Sequence, residues 1–124
     1  MLREEALTRD ILGAAIEVHR VFGPGLLESA YETALCHELH ARGITFQRQI
    51  DLPIKYKGVA LESTFRMDLV VRNTVIVELK SVEKTLPIHA SQLLTYLRLS
   101  GYPIGLLINF NVPNLRNGII RRVL

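Results

Sequence analysis

At Gly43 the spacing of apolar residues drops from about 3.6 to about 2, and that switch limits more than any other feature what this chain can fold into. Before it, Leu7, Ile11, Ala14, Ala15, Val18 and Phe22 fall at helical spacing, and Gly23-Pro24-Gly25 stops the helix. A second helix follows at once on Leu27, Tyr31, Ala34, Leu35 and Leu39. Glu28 and Glu32 occupy its early turns, where the helix dipole favours acids, and Gly43 suits the position past its end. After Gly43, Ile44, Phe46, Ile50, Leu52, Ile54 and Tyr56 alternate with polar residues, which is strand spacing, with a bend expected at Pro53.

Gly58 turns the chain, and two β-rich runs, 64–71 and 74–80, flank Arg72-Asn73 and predict a tight hairpin. Pro87 suits the first turn of a third helix, with Ile88, Leu93, Leu94, Tyr96 and Leu97 toward a sheet and Gly101 and Pro103 at its end. Residues 104–110 are apolar on both faces, as a buried strand requires, and a last short strand is expected over 118–123 after a loop. The predicted fold is therefore α/β, a mixed sheet with helices packed on it, in the order α-α-β-β-β-α-β-β and in one domain over residues 1–124.

Composition narrows the function classes. With 48% hydrophobic residues and a mean hydropathy of +0.21, 124 residues can bury one core. Fifteen Lys and Arg against twelve Asp and Glu give a net charge of +3, a mild basic bias compatible with a phosphate-bearing partner. The single cysteine, Cys36, excludes an internal disulfide and any four-cysteine metal site, and makes a reducing cytoplasm the default location. Arg3, Glu4, Glu5, Arg9 and Asp10 interrupt any signal-peptide apolar run, and the uncharged stretch 99–115 carries too many Gly, Pro and Asn residues to span a membrane.

Three charges interrupt the most apolar strands: Asp68, Glu78 and Lys80. Burying an unpaired carboxylate costs several kcal/mol, so these residues need partners or a purpose. Glu78 and Lys80, two apart on a strand, share a face, and a hairpin can bring Asp68 opposite them. Two carboxylates supply hard oxygen ligands for Mg²⁺ or Mn²⁺, and a neighbouring lysine can orient water and offset charge on a phosphate. A solvated face with a cross-strand salt bridge is the alternative. Register separates the two: a two-residue turn at Arg72-Asn73 pairs Asp68 with Val77 and puts the acids on opposite faces. A three-residue loop of Arg72-Asn73-Thr74 places Asp68 opposite Glu78.

The ordered set Gly25-Leu-Leu-Glu28, Phe65-Arg-Met-Asp68, Val77-Glu78-Leu-Lys80 and Gln92-Leu-Leu-Thr-Tyr96 resembles the PD-(D/E)XK nuclease superfamily, and within it the small GxxE proteins. The resemblance implies a restriction-endonuclease-like core. It further implies Asp68 and Glu78 as metal-binding acids, Lys80 as the residue positioning the attacking water, and Glu28 as an early-helix acid extending the metal site. Gln92 and Tyr96 match the Gln-x-x-x-Tyr helix of RecB-like members, which lies beside the active site. Met67 stands where the superfamily has proline, which lowers the specificity of the match. Read alone, Glu28 is equally a helix-start acid, and Gln92 with Tyr96 an amphipathic boundary pair.

Arg66, on the face of Asp68, can pair with an acid or reach a phosphate; His89, Gln92 and Arg116 are further candidates for nucleic-acid contact. His37 and His40 read as a surface pair, and His19 as an ordinary helix-end residue. The expected function is a Mg²⁺- or Mn²⁺-dependent phosphodiesterase acting on nucleic acid, DNA ahead of RNA, with no membrane partner and with low or delegated sequence specificity. A homodimer would help so small a domain clamp a duplex, and a protein partner could supply specificity. Two rivals stand beside this reading: a non-catalytic nucleic-acid-binding module that keeps the fold, and an accessory protein whose charged patch binds a protein or nucleotide.

Overall fold

The structure is a computed structural model that describes residues 4–124. Arg3, part of the charged N-terminus above, lies outside them. The chain folds as α1 (Glu5–Phe22), α2 (Glu28–Ala41), β1 (Phe46–Tyr56), β2 (Val59–Val71), β3 (Val75–Lys80), α3 (Pro87–Ser100), β4 (Ile104–Asn109) and β5 (Ile119–Val123), with one turn of 3₁₀ helix at Leu115–Gly118. Element order and type match the sequence expectation; β2 starts five residues earlier than the β-rich run at 64 suggested. No helix among the described residues is long and apolar enough to cross a membrane.

The five strands lie in sequence order, β1-β2-β3-β4-β5. Each neighbouring pair is antiparallel except β3 and β4, which run parallel because α3 carries the chain back across the sheet between them. One face is covered by α1 and α2, whose Ile11, Ala14, Ala15, Tyr31, Leu35 and Leu39 join Leu69, Val71, Val77, Leu79, Leu106 and Ile108 in one apolar cluster. The other is covered by α3, whose Leu93 and Leu97 pack with Val70, Ile76 and Leu107. Ile88, expected to face the sheet, is instead exposed in the first turn of α3, while Leu93 and Leu97 farther along the helix are the residues buried there. Gly105 lets α3 sit close on β4, since a Cβ there would meet Leu93 Cδ1 at 2.7 Å.

β2 does not keep strict alternation. Leu69 and Val71 belong to the cluster under α1 and α2, yet Met67 and Phe65, of the same parity, pack on the α3 side. The change of face falls at Asp68. Opposite it on β1, Gln49 has a positive φ of 50°, and the paired register steps from Arg48↔Leu69 to Ile50↔Met67. Farther out, the expected irregularity at Pro53 is present as a register shift between Pro53 and Lys55. Proline is tolerated there because β1 is an edge strand.

Candidate active site

The β2–β3 connection decides whether the acids can meet. Val71 pairs with Val75, Val70 with Ile76 and Leu69 with Val77, so Arg72, Asn73 and Thr74 form a three-residue loop. Arg72 and Asn73 both take positive φ, 47° and 54°, and Thr74 N–H closes the turn on Val71 O at 3.0 Å. Continuing this register puts Asp68 opposite Glu78, the arrangement that the odd loop length was expected to give.

The regular β2–β3 ladder ends one residue before that pair. Where it ends, the side chains take over the hydrogen bonding. Leu79 N–H donates to Asp68 Oδ2 at 2.8 Å, and Asp68 N–H donates to Glu78 Oε1 at 3.3 Å. Each carboxylate thus accepts an amide from the opposite strand across the opening fork.

Glu78 is buried, whereas Asp68 is half-buried. Burial first, then the negative charge of Asp68 and a hydrogen bond between the two side chains, push the Glu78 carboxyl up to about 9; the Asp68 amide and the Lys80 charge pull only weakly the other way. At neutral pH the Glu78 carboxyl therefore keeps its proton beside the crowding Asp68 side chain. Lys80 lies two residues on, half-buried and on the same face of β3.

Tyr96 reaches the pair from α3. Its ring packs on Phe65 with centroids 5.0 Å apart, and burial, followed by the charges of Glu78 and Asp68, pushes its phenol up from its ordinary value. Gln92, one turn earlier on α3, is exposed. His89 helps to start the same helix: its Nδ1 accepts Leu86 N–H at 3.0 Å while its backbone N–H donates to Leu86 O at 2.9 Å. With Nδ1 accepting, the ring proton is on Nε2.

Glu28 arrives from the other layer, at the first turn of α2. Its Oε1 accepts the N–H of Ser81, the residue after Lys80, at 3.3 Å, and Ser81 Oγ donates to Leu26 O at 2.5 Å. Gly25, at a φ of 107° that only glycine adopts easily, admits the turn that leads there. The structure does not gather Glu28 into the Asp68–Glu78 pair: among the described residues no group of three or more His, Cys, Asp or Glu is placed to hold a metal ion. Arg66 pairs with Asp51 of β1, Nε to Oδ1 3.1 Å, with both side chains exposed. Arg116 is exposed on the 3₁₀ turn beside His19 and Arg20 of α1. His37 and His40 are exposed on α2, as a surface pair should be.

Three residues with supporting roles were not singled out from the sequence. Asn109, at the end of β4 and opposite Lys80, is buried; its Oδ1 accepts Val82 N–H at 3.1 Å and its Nδ2 donates to Val82 O at 3.0 Å, which fixes the chain leaving Lys80. A lone amide closing an all-apolar strand was the available signal. Tyr31, read as core, also donates its hydroxyl to Gly23 O at 2.5 Å and accepts Leu26 N–H at 3.2 Å, so it holds the loop that presents Glu28. Ser81 carried no sequence signal at all.

The donor set suits a hard divalent cation. Mg²⁺ binds through one or two carboxylates and keeps several waters, and a bound cation would relieve the crowding that pushes the Glu78 carboxyl up.

A family model described as the PD-(D/E)XK nuclease superfamily matches residues 5–123. No curated protein and no solved structure matches the chain. The model spans every strand of the mixed sheet and both strands of the acid fork, and the chain belongs to the PD-(D/E)XK nuclease superfamily.

Proposed function

We propose that the protein is a metal-dependent nuclease that hydrolyses phosphodiester bonds of nucleic acid, DNA ahead of RNA, and that Gly25-Leu-Leu-Glu28 places it with the small GxxE proteins of its superfamily. The observation that carries this reading is the fork itself: a three-residue loop sets Asp68 opposite Glu78, with Lys80 two residues farther along the same strand face.

Asp68 and Glu78 would hold Mg²⁺ or Mn²⁺, with Glu28 able to contribute from the first turn of α2. A bound divalent ion supplies Lewis acidity that polarises phosphoryl oxygens and strengthens water as a nucleophile. Lys80 orients the attacking water and offsets charge as it builds on the phosphate; Tyr96 offers its hydroxyl beside the acids. Water oxygen bonds to phosphorus as one of its protons passes to bulk solvent, the bond to the leaving sugar oxygen breaks, and that oxygen takes up a proton from solvent, so that one water is consumed. Arg66, His89, Gln92 and Arg116 are assigned to nucleic-acid contact, His89 through its Nε2–H.

The test is incubation of wild type and Lys80→Ala with labelled single- and double-stranded DNA and RNA, with Mg²⁺, with Mn²⁺ and with EDTA, alongside calorimetric titration of each metal. Metal-dependent cleavage by wild type alone supports the reading and names the substrate. Absence of metal binding, repeated with DNA present, overturns it in favour of a binding module that keeps the fold.

A further inference from the structure

β1 and β2 outrun the sheet they belong to. β2 has 13 residues and β3 has 6, and the two pair only over residues 69–71 and 75–77. From residue 59 to residue 67, β1 is the only strand paired with β2 among the described residues, and residues 55–64 are exposed throughout. The result is a two-stranded ribbon with both edges open.

Its tip is built, not frayed. Tyr56 pairs with Val59, and Lys57 and Gly58 turn the chain with φ of 50° and 80°, the signs that a tight hairpin turn of matching twist needs. Tyr56 and Val59 lie on one side and are 60% and 62% exposed, and Lys57 Nζ stands 5.4 Å from the Tyr56 ring centroid. Lys55 is two residues before Lys57, and Glu62 is the only acid among residues 53–64.

An uncovered ribbon with an exposed aromatic is a liability unless something docks on it. Lysines at an exposed tip suit a polyanion such as the phosphate backbone of a duplex, with the Tyr56 ring as an amphipathic contact between them. A two-stranded ribbon also has the width that the B-DNA major groove, about 12 Å across, admits. β2 runs without a break from the tip to Asp68. The nine residue-to-residue steps from Val59 to Asp68 span at most about 30 Å, less than one turn of duplex at about 34 Å.

We propose that the β1–β2 ribbon, with Lys55, Tyr56 and Lys57 at its tip, is a duplex-binding arm that grips nucleic acid within one helical turn of the Asp68–Glu78 pair. The proposal rests on the nuclease reading for the identity of the duplex, but its test does not depend on cleavage. Binding of a labelled 30-base-pair DNA, measured by fluorescence anisotropy in EDTA over a salt series, compares wild type with Lys55→Ala/Tyr56→Ser/Lys57→Ala and with Lys57→Glu alone.

The expected result is about tenfold weaker binding for the triple variant, with a salt dependence shallower by about 2 log–log units for the two lost lysine–phosphate contacts. Melting temperatures should match wild type, since the substituted side chains are exposed. Unchanged duplex affinity in both variants overturns the proposal. So does a change in sedimentation with DNA affinity intact, which would make the ribbon a self-association arm. Hydrolysis of bis(4-nitrophenyl) phosphate by wild type, a substrate too small to reach the ribbon, reports separately on the nuclease reading.

Discussion

Glu32 and Glu78 are equally buried, each 8% exposed, and they could hardly be more differently supplied. Glu32, on α2, accepts Arg48 Nη2 at 2.9 Å and Gln49 Nε2 at 2.7 Å, so its charge is met from β1 and it ties helix to strand. Glu78 meets another carboxyl group, one backbone amide and a lysine whose effect is weak. Burial alone therefore does not mark a functional acid; the partners do. A satisfied acid holds structure together, while two acids that crowd each other in a half-open fork are the pair to which the proposed function assigns a cation.

That contrast breaks first on activity. Asp68→Asn and Glu78→Gln should each reduce metal-dependent cleavage by about 100-fold or more while the protein remains folded, and calorimetry should show metal affinity lost with it. Wild-type cleavage by both variants would remove the fork from the chemistry altogether.

Stability against pH sharpens the contrast next. The raised carboxyl of Glu78 means that, between its ordinary value near 4.5 and about 9, the folded protein binds a proton that the unfolded chain has released. Without metal, stability should therefore fall as pH rises through that window, by at most about 1.4 kcal/mol per pH unit, and level off above it. Thermal melts in EDTA from pH 5 to 9 check this. Glu78→Gln should flatten the curve, and Mg²⁺ should restore stability most at the alkaline end, because metal displaces the proton. A melt curve that rises with pH in wild type would show that the Glu78 carboxyl does not keep its proton.

The structural half of the comparison is smaller in effect. Glu32→Ala removes the partner of Arg48, whose side chain is 44% exposed and can turn to water, so the cost should be about 1–2 kcal/mol, read from urea unfolding. Metal affinity should stay at the wild-type value. A loss matching that of Asp68→Asn would collapse the distinction, and would mean that the Gln49 bend opposite Asp68 depends on Glu32.

The helices, the order of elements along the chain and the two possible outcomes of the 72–74 turn were readable because each rests on local periodicity or on loop parity; the paired register then selects the three-residue loop, which fixes the face that Asp68 takes. What could not be read depends on contacts across the fold. The change of face at Asp68 needs Gln49 of β1 in a left-handed conformation, which no pattern in β2 announces. Asn109 and Ser81 act through hydrogen bonds 27 and 53 residues away in sequence. Glu28 was readable as an acid of the family pattern, but its bond to Ser81 instead of a place in the acid pair emerges only from packing α2 against the end of β3.

An exposed surface pair completes the scale. Arg66 lies on the strand that carries Asp68, yet its guanidinium is committed to Asp51 at 3.1 Å, with side chains 63% and 59% exposed. Such a pair contributes about 0–0.5 kcal/mol, since water screens it and both side chains lose freedom to hold it. Arg66→Ala should therefore leave the melting temperature almost unmoved. Asp51→Ala frees Arg66 on the exposed outer part of β2, two residues from Asp68, without touching the fork. If Arg66 serves phosphate contact, Asp51→Ala should tighten DNA binding about two- to threefold at low salt and Arg66→Ala should weaken it by a similar factor, both effects fading as salt rises. Equal affinity for the two variants would leave Arg66 as a strand-pairing residue only.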